Sequence, residues 1–154
     1  MIEKPAAASA STADRELVTS RLIDAPRLRV FRAFSDPAQL AQWWGPDGFT
    51  NTFNEFDLRA GGAWRSVMHG PDGLSYPNQS AFIEVVAPER VVFEHVSAPR
   101  FETTLSFIEH GEQTLVGWRQ RFATAAEWRR VARFAAEANE QNLDRLVSHL
   151  RAAG

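Results

Sequence analysis

The chain has 154 residues, with 17 Lys and Arg against 19 Asp and Glu, a formal net charge of −2 and no cysteine. This excludes disulfides, thiolate metal centres and cysteine nucleophiles, and it supplies no positive field for holding a nucleic acid backbone or an anionic membrane. The length suits one domain, and roughly 150 residues bury about 70% of the unfolded surface, enough for a full core and a cavity.

Residues 1–14 are rich in Ala and Ser and read as a flexible leader without the apolar stretch of a signal peptide. A cytoplasmic location is the default reading, since no apolar run approaches the ~20 residues that span a bilayer. A single domain is expected over 15–154. Within it, Glu16 to Ile23 reads as a strand, ended at Ala25-Pro26 because proline lacks the N–H a ladder needs. Leu28, Val30, Phe31 and Phe34 then recur at helical spacing. Asp36-Pro37 supplies an N-cap and a first-turn proline for a second short helix through Leu40 and Trp43.

From Gly45 to Phe122 the pattern is strands and turns. The sequence GPDG occurs at 45–48, where it ends the helical segment, and again at 70–73, between strands. Strands are expected at 52–58, 63–69, 78–86, 90–96, 100–109 and 114–123, an antiparallel meander. Alternation puts Trp64, Ser66 and Met68 on one face, with Val91, Phe93 and His95, then Phe101, Thr103, Leu105 and Phe107, then Val116, Trp118, Gln120 and Phe122. The other face carries Arg65, Glu94, Glu102, Arg119 and Arg121. The parity of Glu84 is ambiguous, because both faces of Phe82–Val86 carry apolar residues.

A long helix closes the chain. Thr124 with Glu127 forms a capping box, and no Gly or Pro interrupts Ala125 to Ala153. Val131, Phe134, Ala135, Ala138, Asn142 and Leu146 make its inward stripe, broadened by Leu143, Val147 and Leu150; Arg129, Arg130, Glu137, Glu140 and Arg145 form the wet side. The stripe is small at Ala135, Ala138 and Asn142. Small helix residues against large sheet aromatics either interlock as tight packing or leave a hole. The fold class is α+β: a curved antiparallel sheet of about seven strands wrapped around the C-terminal helix, with two short helices after the first strand.

This order resembles the START-like, helix-grip superfamily of the major birch-pollen allergen (SRPBCC). The closer resemblance, over about residues 16 to 151, is to the branch named for the activator of heat shock protein 90 ATPase homologue. It is carried by Ile23-Asp24-Ala25-Pro26 through Phe34, Trp43-Trp44-Gly45-Pro46, Gly61-Gly62-Ala63-Trp64, Met68 to Gly73 with Tyr76-Pro77-Asn78, Glu84-Val85 with Pro88 to Phe93, and Glu140 to Leu146. The family often has Gly-Trp before that Glu-Gln, where this chain has Ala138-Asn139. The resemblance implies a binding fold: superfamily members hold lipids, plant hormones and polyketides, some are cyclases or hydrolases, and eukaryotic members of the branch stimulate a chaperone ATPase.

For chemistry, His69, His95, His110 and His149 lack metal-ligand spacing, and Ala60 to Ala63 lacks a phosphate-cradle pattern, so neither metal nor cofactor is expected. Eleven Phe and five Trp fit either a Phe-rich core or a cavity wall. Trp43 and Trp44 have two readings: at least one seals the core, or one gates the cavity beside the Gly-rich loop. The expected ligand-binding residues are Trp44, Trp64, Met68, Tyr76, Phe93, His95, Phe101, Leu105, Trp118, Gln120, Phe122, Phe134, Ala138 and Asn142. Inward His95, Gln120 and Asn142 need partners, which are each other, water or a ligand. The leading reading is binding of a small apolar or amphipathic molecule. Its rivals are a cyclase- or hydrolase-like enzyme using His95 as base, and a co-chaperone, the latter implied by the resemblance alone. The sheet edges are available for homodimer pairing, which nothing in the sequence specifies.

Overall fold

A computed structural model describes residues 12–153. The leader expected over 1–14 therefore lies, up to residue 11, outside the described residues, and Ala13–Arg15 form a 3₁₀ turn. The elements that follow are β1 (Glu16–Ile23), α1 (Arg27–Ser35), α2 (Pro37–Trp43), β2 (Thr50–Phe56), β3 (Ala63–His69), β4 (Ser75–Val86), β5 (Arg90–His95), β6 (Phe101–His110), β7 (Gln113–Phe122) and α3 (Ala125–Ala153). Seven strands form one antiparallel sheet in the order β1-β7-β6-β5-β4-β3-β2. Strands β2 to β7 are a meander of neighbours, and only the β1–β7 pair joins distant segments.

That order explains the position of the short helices. Because β1 and β2 lie on opposite edges, the connection between them crosses the sheet, and α1 and α2 carry it across. Val30, Phe31, Ala33 and Phe34 of α1 and Leu40 and Trp43 of α2 are buried on that side. The Asp36 carboxylate accepts from the Ala38 N–H at 3.0 Å, with Pro37 following it, which starts α2 without breaking the chain's direction. Trp43 enters the core and donates its indole N–H to the Ala33 carbonyl at 2.9 Å.

Two β-bulges settle strand parity. In β4 the register with β5 shifts between Phe82 and Glu84. Ser80 and Phe82 point inward, Ile83 is exposed, and Val85 returns to the core. Glu84 thus faces outward and pairs with Arg90 at 2.8 Å. A matching shift between Phe53 and Glu55 in β2 lets both Phe53 and Phe56 pack inward. The outer face carries cross-strand pairs, among them Arg121–Glu102 at 2.6 Å and Arg119–Glu16 at 2.7 Å. Such exposed pairs contribute at most about 1 kcal/mol each.

Helix α3 lies against β1, β7, α1 and α2. Its start is capped by Thr124, whose hydroxyl accepts from the Glu127 N–H at 3.1 Å. Arg21 of β1 ties down its middle through Glu140 at 2.7 Å and Asp144 at 2.8 Å. The buried positions are Asn139, Asn142, Leu143, Leu146 and Leu150. This corrects the expected stripe: Phe134 is 76% exposed and faces away from the sheet. The sheet-facing line along the helix runs through Ala135, Ala138/Asn139 and Asn142/Leu143, so a position one residue before Ala135 lies about 100° away from it.

Candidate ligand-binding site

The inward aromatics meet in one continuous cluster. Phe34 touches Trp44, Phe56, Trp64 and Phe107, while Trp64 lies parallel to Phe82 with centroids 6.1 Å apart. Beside it, between the sheet and α3, is a cavity of about 150 Å³. Its walls are Trp64, Ser66 and Met68 from β3, Asn78 and Ser80 from β4, Phe93 and His95 from β5, Phe101 and Thr103 from β6, and Trp118 and Gln120 from β7. Ala138, Asn139 and Asn142 of α3 and the loop Trp44-Gly45-Pro46 complete it. The cavity exists because small residues face each other: Ser66, Ser80 and Thr103 interrupt the aromatic sheet face opposite Ala138. The expected gap at Ala135 does not contribute, since Ala135 is not in the wall.

Ten of the fourteen residues expected to form the site line this cavity, namely Trp44, Trp64, Met68, Phe93, His95, Phe101, Trp118, Gln120, Ala138 and Asn142. Four do not. Leu105 is buried deeper, against Phe34, Trp43, Val116 and Leu143. Phe122 is buried beside Phe101, with ring centroids 5.6 Å apart. Phe134 is exposed as described, and Tyr76 stands on the surface, its hydroxyl donating to Asp72 at 2.5 Å. The Asp72 carboxyl is held below its ordinary value chiefly by that hydroxyl.

His95, Gln120 and Asn142 all have partners, but not one another. His95 Nδ1 lies 2.9 Å from the Pro99 carbonyl and Nε2 lies 2.7 Å from Asn78 Oδ1, while its ring stacks on Phe101 at 4.7 Å. Asn78 is oriented by donating Nδ2 to the Tyr76 carbonyl at 2.9 Å. Gln120 Oε1 accepts from Asn139 Nδ2 at 2.8 Å. Asn139, where the family often has Trp, was not expected in the site, although it stands three residues before Asn142 on the same helix face. Ser66 and Thr103 had been placed on the inward face without a role; Asn78 and Ser80 were hidden by the β4 bulge, which shifts that strand's alternation.

The loop over the cavity is pinned from α3. Asn142 accepts from the Gly45 N–H at 3.2 Å and donates to the Trp43 carbonyl at 3.1 Å. Arg145 donates to five backbone carbonyls, those of Gln42, Trp44, Gly45, Pro46 and Phe49, at 2.9–3.2 Å. Expected on the wet side, it is partly buried, and that burial lowers its pKa from the ordinary arginine value. Gly45 takes φ of +102°, a conformation that L side chains adopt only with strain, so the loop closes on the cavity most readily with glycine at this point. Among the described residues no three His, Asp or Glu side chains group as a metal site, and no helix is long and apolar enough to cross a membrane.

Solved structures share this architecture. Protein NE0264 from Nitrosomonas europaea superposes with a TM-score of 0.85 at 21% identity, covering 92% of this chain and 97% of its own. Ms6760 from Mycobacterium smegmatis gives 0.83 at 24% identity, over 95% and 97%. A protein from Arthrobacter aurescens gives 0.85 at 21% identity, over 94% and 90%. At these identities the likeness establishes the fold. No curated protein matches the sequence. The family model described as Activator of Hsp90 ATPase homolog 1-like protein matches residues 24–151, from the end of β1 almost to the end of α3, and the chain belongs to that family.

Proposed function

We propose that the protein binds a small apolar or amphipathic molecule in the cavity between sheet and C-terminal helix. The observation that carries this reading is the wall itself: aromatic side chains from four strands and a loop tryptophan surround a space with a few convergent polar groups. Trp44, one of the pair read as core seal or cavity gate, stacks on Trp118 at 5.3 Å and lies 5.1 Å from Trp64, so it covers the inner wall. Titration of tryptophan fluorescence with single-ring aromatics and short-chain lipids tests the reading. A saturable one-site response is expected, together with a co-purified molecule in native mass spectra; no saturable response to any compound would reject it.

Catalysis by His95 is less well supported, because both ring nitrogens are engaged within the protein, Nδ1 with the Pro99 carbonyl and Nε2 with Asn78 Oδ1 and Ser97 Oγ. A chaperone partner rests on the family's name alone.

A further inference from the structure

Three hydrogen-bonding atoms in residues of the cavity wall are buried without a partner: Trp64 Nε1, Trp118 Nε1 and Thr103 Oγ1. Their residues are 4%, 3% and 1% exposed and come from β3, β7 and β6. The buried Trp43 and the part-buried Trp128 show the usual arrangement, donating to the Ala33 carbonyl at 2.9 Å and to the Glu16 carbonyl at 2.8 Å. Leaving a buried donor unpaired is unfavourable, so three in one wall call for an acceptor.

The wall's chemistry says which acceptor. An indole N–H only donates. The Gln120–Asn139 bond uses one amide donor and one amide acceptor, and leaves one amide nitrogen and one amide oxygen. The wall therefore offers more donors than acceptors. No Lys, Arg, Asp or Glu lines it. An ionised ligand would lose its hydration there with no Lys or Arg to meet it and with both His95 nitrogens engaged by Pro99, Asn78 and Ser97, which disfavours carboxylates. A volume of about 150 Å³ is also that of an apolar cavity able to hold benzene.

We infer that the natural ligand is an uncharged carbonyl compound of single-ring size, its oxygen accepting from the Trp64 and Trp118 indoles with Thr103 alongside. This rests on the binding reading above and specifies the ligand. The Trp64 and Trp118 donors are closed to solvent and the Trp44 indole packs against both rings, so on this proposal the carbonyl reaches them as that indole turns aside. The backbone around Trp44 stays in place through Arg145 and Asn142.

The test compares acetophenone, ethylbenzene and benzoate, which share a ring and differ in the acceptor and its charge, by titrations that follow the indole N–H resonances in nitrogen-15 spectra. Acetophenone should bind at least about tenfold tighter than ethylbenzene, as one hydrogen bond to a buried donor allows. The Trp64 and Trp118 indole protons should move downfield with acetophenone alone, Trp43 and Trp128 should stay still, and Trp44 should respond to both neutral compounds. Thr103→Val, nearly isosteric, and Trp118→Phe should each narrow the acetophenone preference while ethylbenzene still binds. Equal binding of acetophenone and ethylbenzene, or tightest binding of benzoate, overturns the carbonyl assignment and leaves small-molecule binding standing. Binding of none of the three overturns the carbonyl assignment, and a further lack of response to short-chain lipids overturns the binding reading as well.

Discussion

Arg145 shows how a single side chain holds the region around the cavity together. Its guanidinium donates to five carbonyls, of which those of Trp44 and Pro46 also accept from Asn51 Nδ2 and the Phe49 N–H, and a fork of five donors suits that role where a lysine does not. Arg145→Leu should lower stability by about 2 kcal/mol, the scale of lost hydrogen bonds to a charged group, and should make the amides of 44–49 exchange faster in hydrogen-exchange measurements. Thr103→Val should act in the opposite direction. It removes a buried hydroxyl without a partner, so urea denaturation should show unchanged or higher stability, by up to about 1 kcal/mol. From sequence Arg145 reads as one more charge on the wet side of the helix, and only the folded loop brings carbonyls to its tip. Asp36, Thr124 and the glycine turns were legible because their work is done within three residues of themselves.

At the scale of elements, α3 separates what periodicity reveals from what it leaves out. Its beginning at Ala125, its length and its leucines are legible from spacing, yet the same spacing groups Phe134 with Val131 and Ala138, and Phe134 is exposed because the buried line centres on Asn139, Asn142, Leu143 and Leu146. Leu143→Ala should cost about 2–5 kcal/mol in chemical denaturation, because Leu143 is wholly buried. Phe134→Ala should change stability by less than about 0.5 kcal/mol. Near the end of α3, His149 bonds to Gln39 of α2 at 3.0 Å, and burial, with Arg29 nearby, lowers its pKa below the ordinary 6.5. Below pH 6.5 the unfolded chain then binds a proton that the native chain does not. Its contribution is complete above pH 6.5 and is lost as pH falls toward the depressed native value. His149→Gln should flatten that part of the stability profile in denaturation series between about pH 5 and 7.5. The strands β1 and β3 matched their expected limits, whereas β2 and β4 began earlier and carried bulges, which alternation alone cannot locate.

For the whole molecule, the amino-acid sequence by itself determined the fold class, the element order and which strand face is apolar. Those properties follow from local turn chemistry, capping and the period of hydrophobic residues, all of which act over a few positions. The tertiary structure alone decided that β1 and β2 occupy opposite edges, so that the tandem helices cross the sheet and deliver Trp44 over Trp118. It alone decided that Ser66, Ser80 and Thr103 face Ala138 across a cavity, that Asn139 meets Gln120, and that two indole N–H groups stay unpaired. A void and an unpartnered donor are properties of several segments at once. Residues far apart in sequence fix them by their relative placement, and no local pattern encodes that distance.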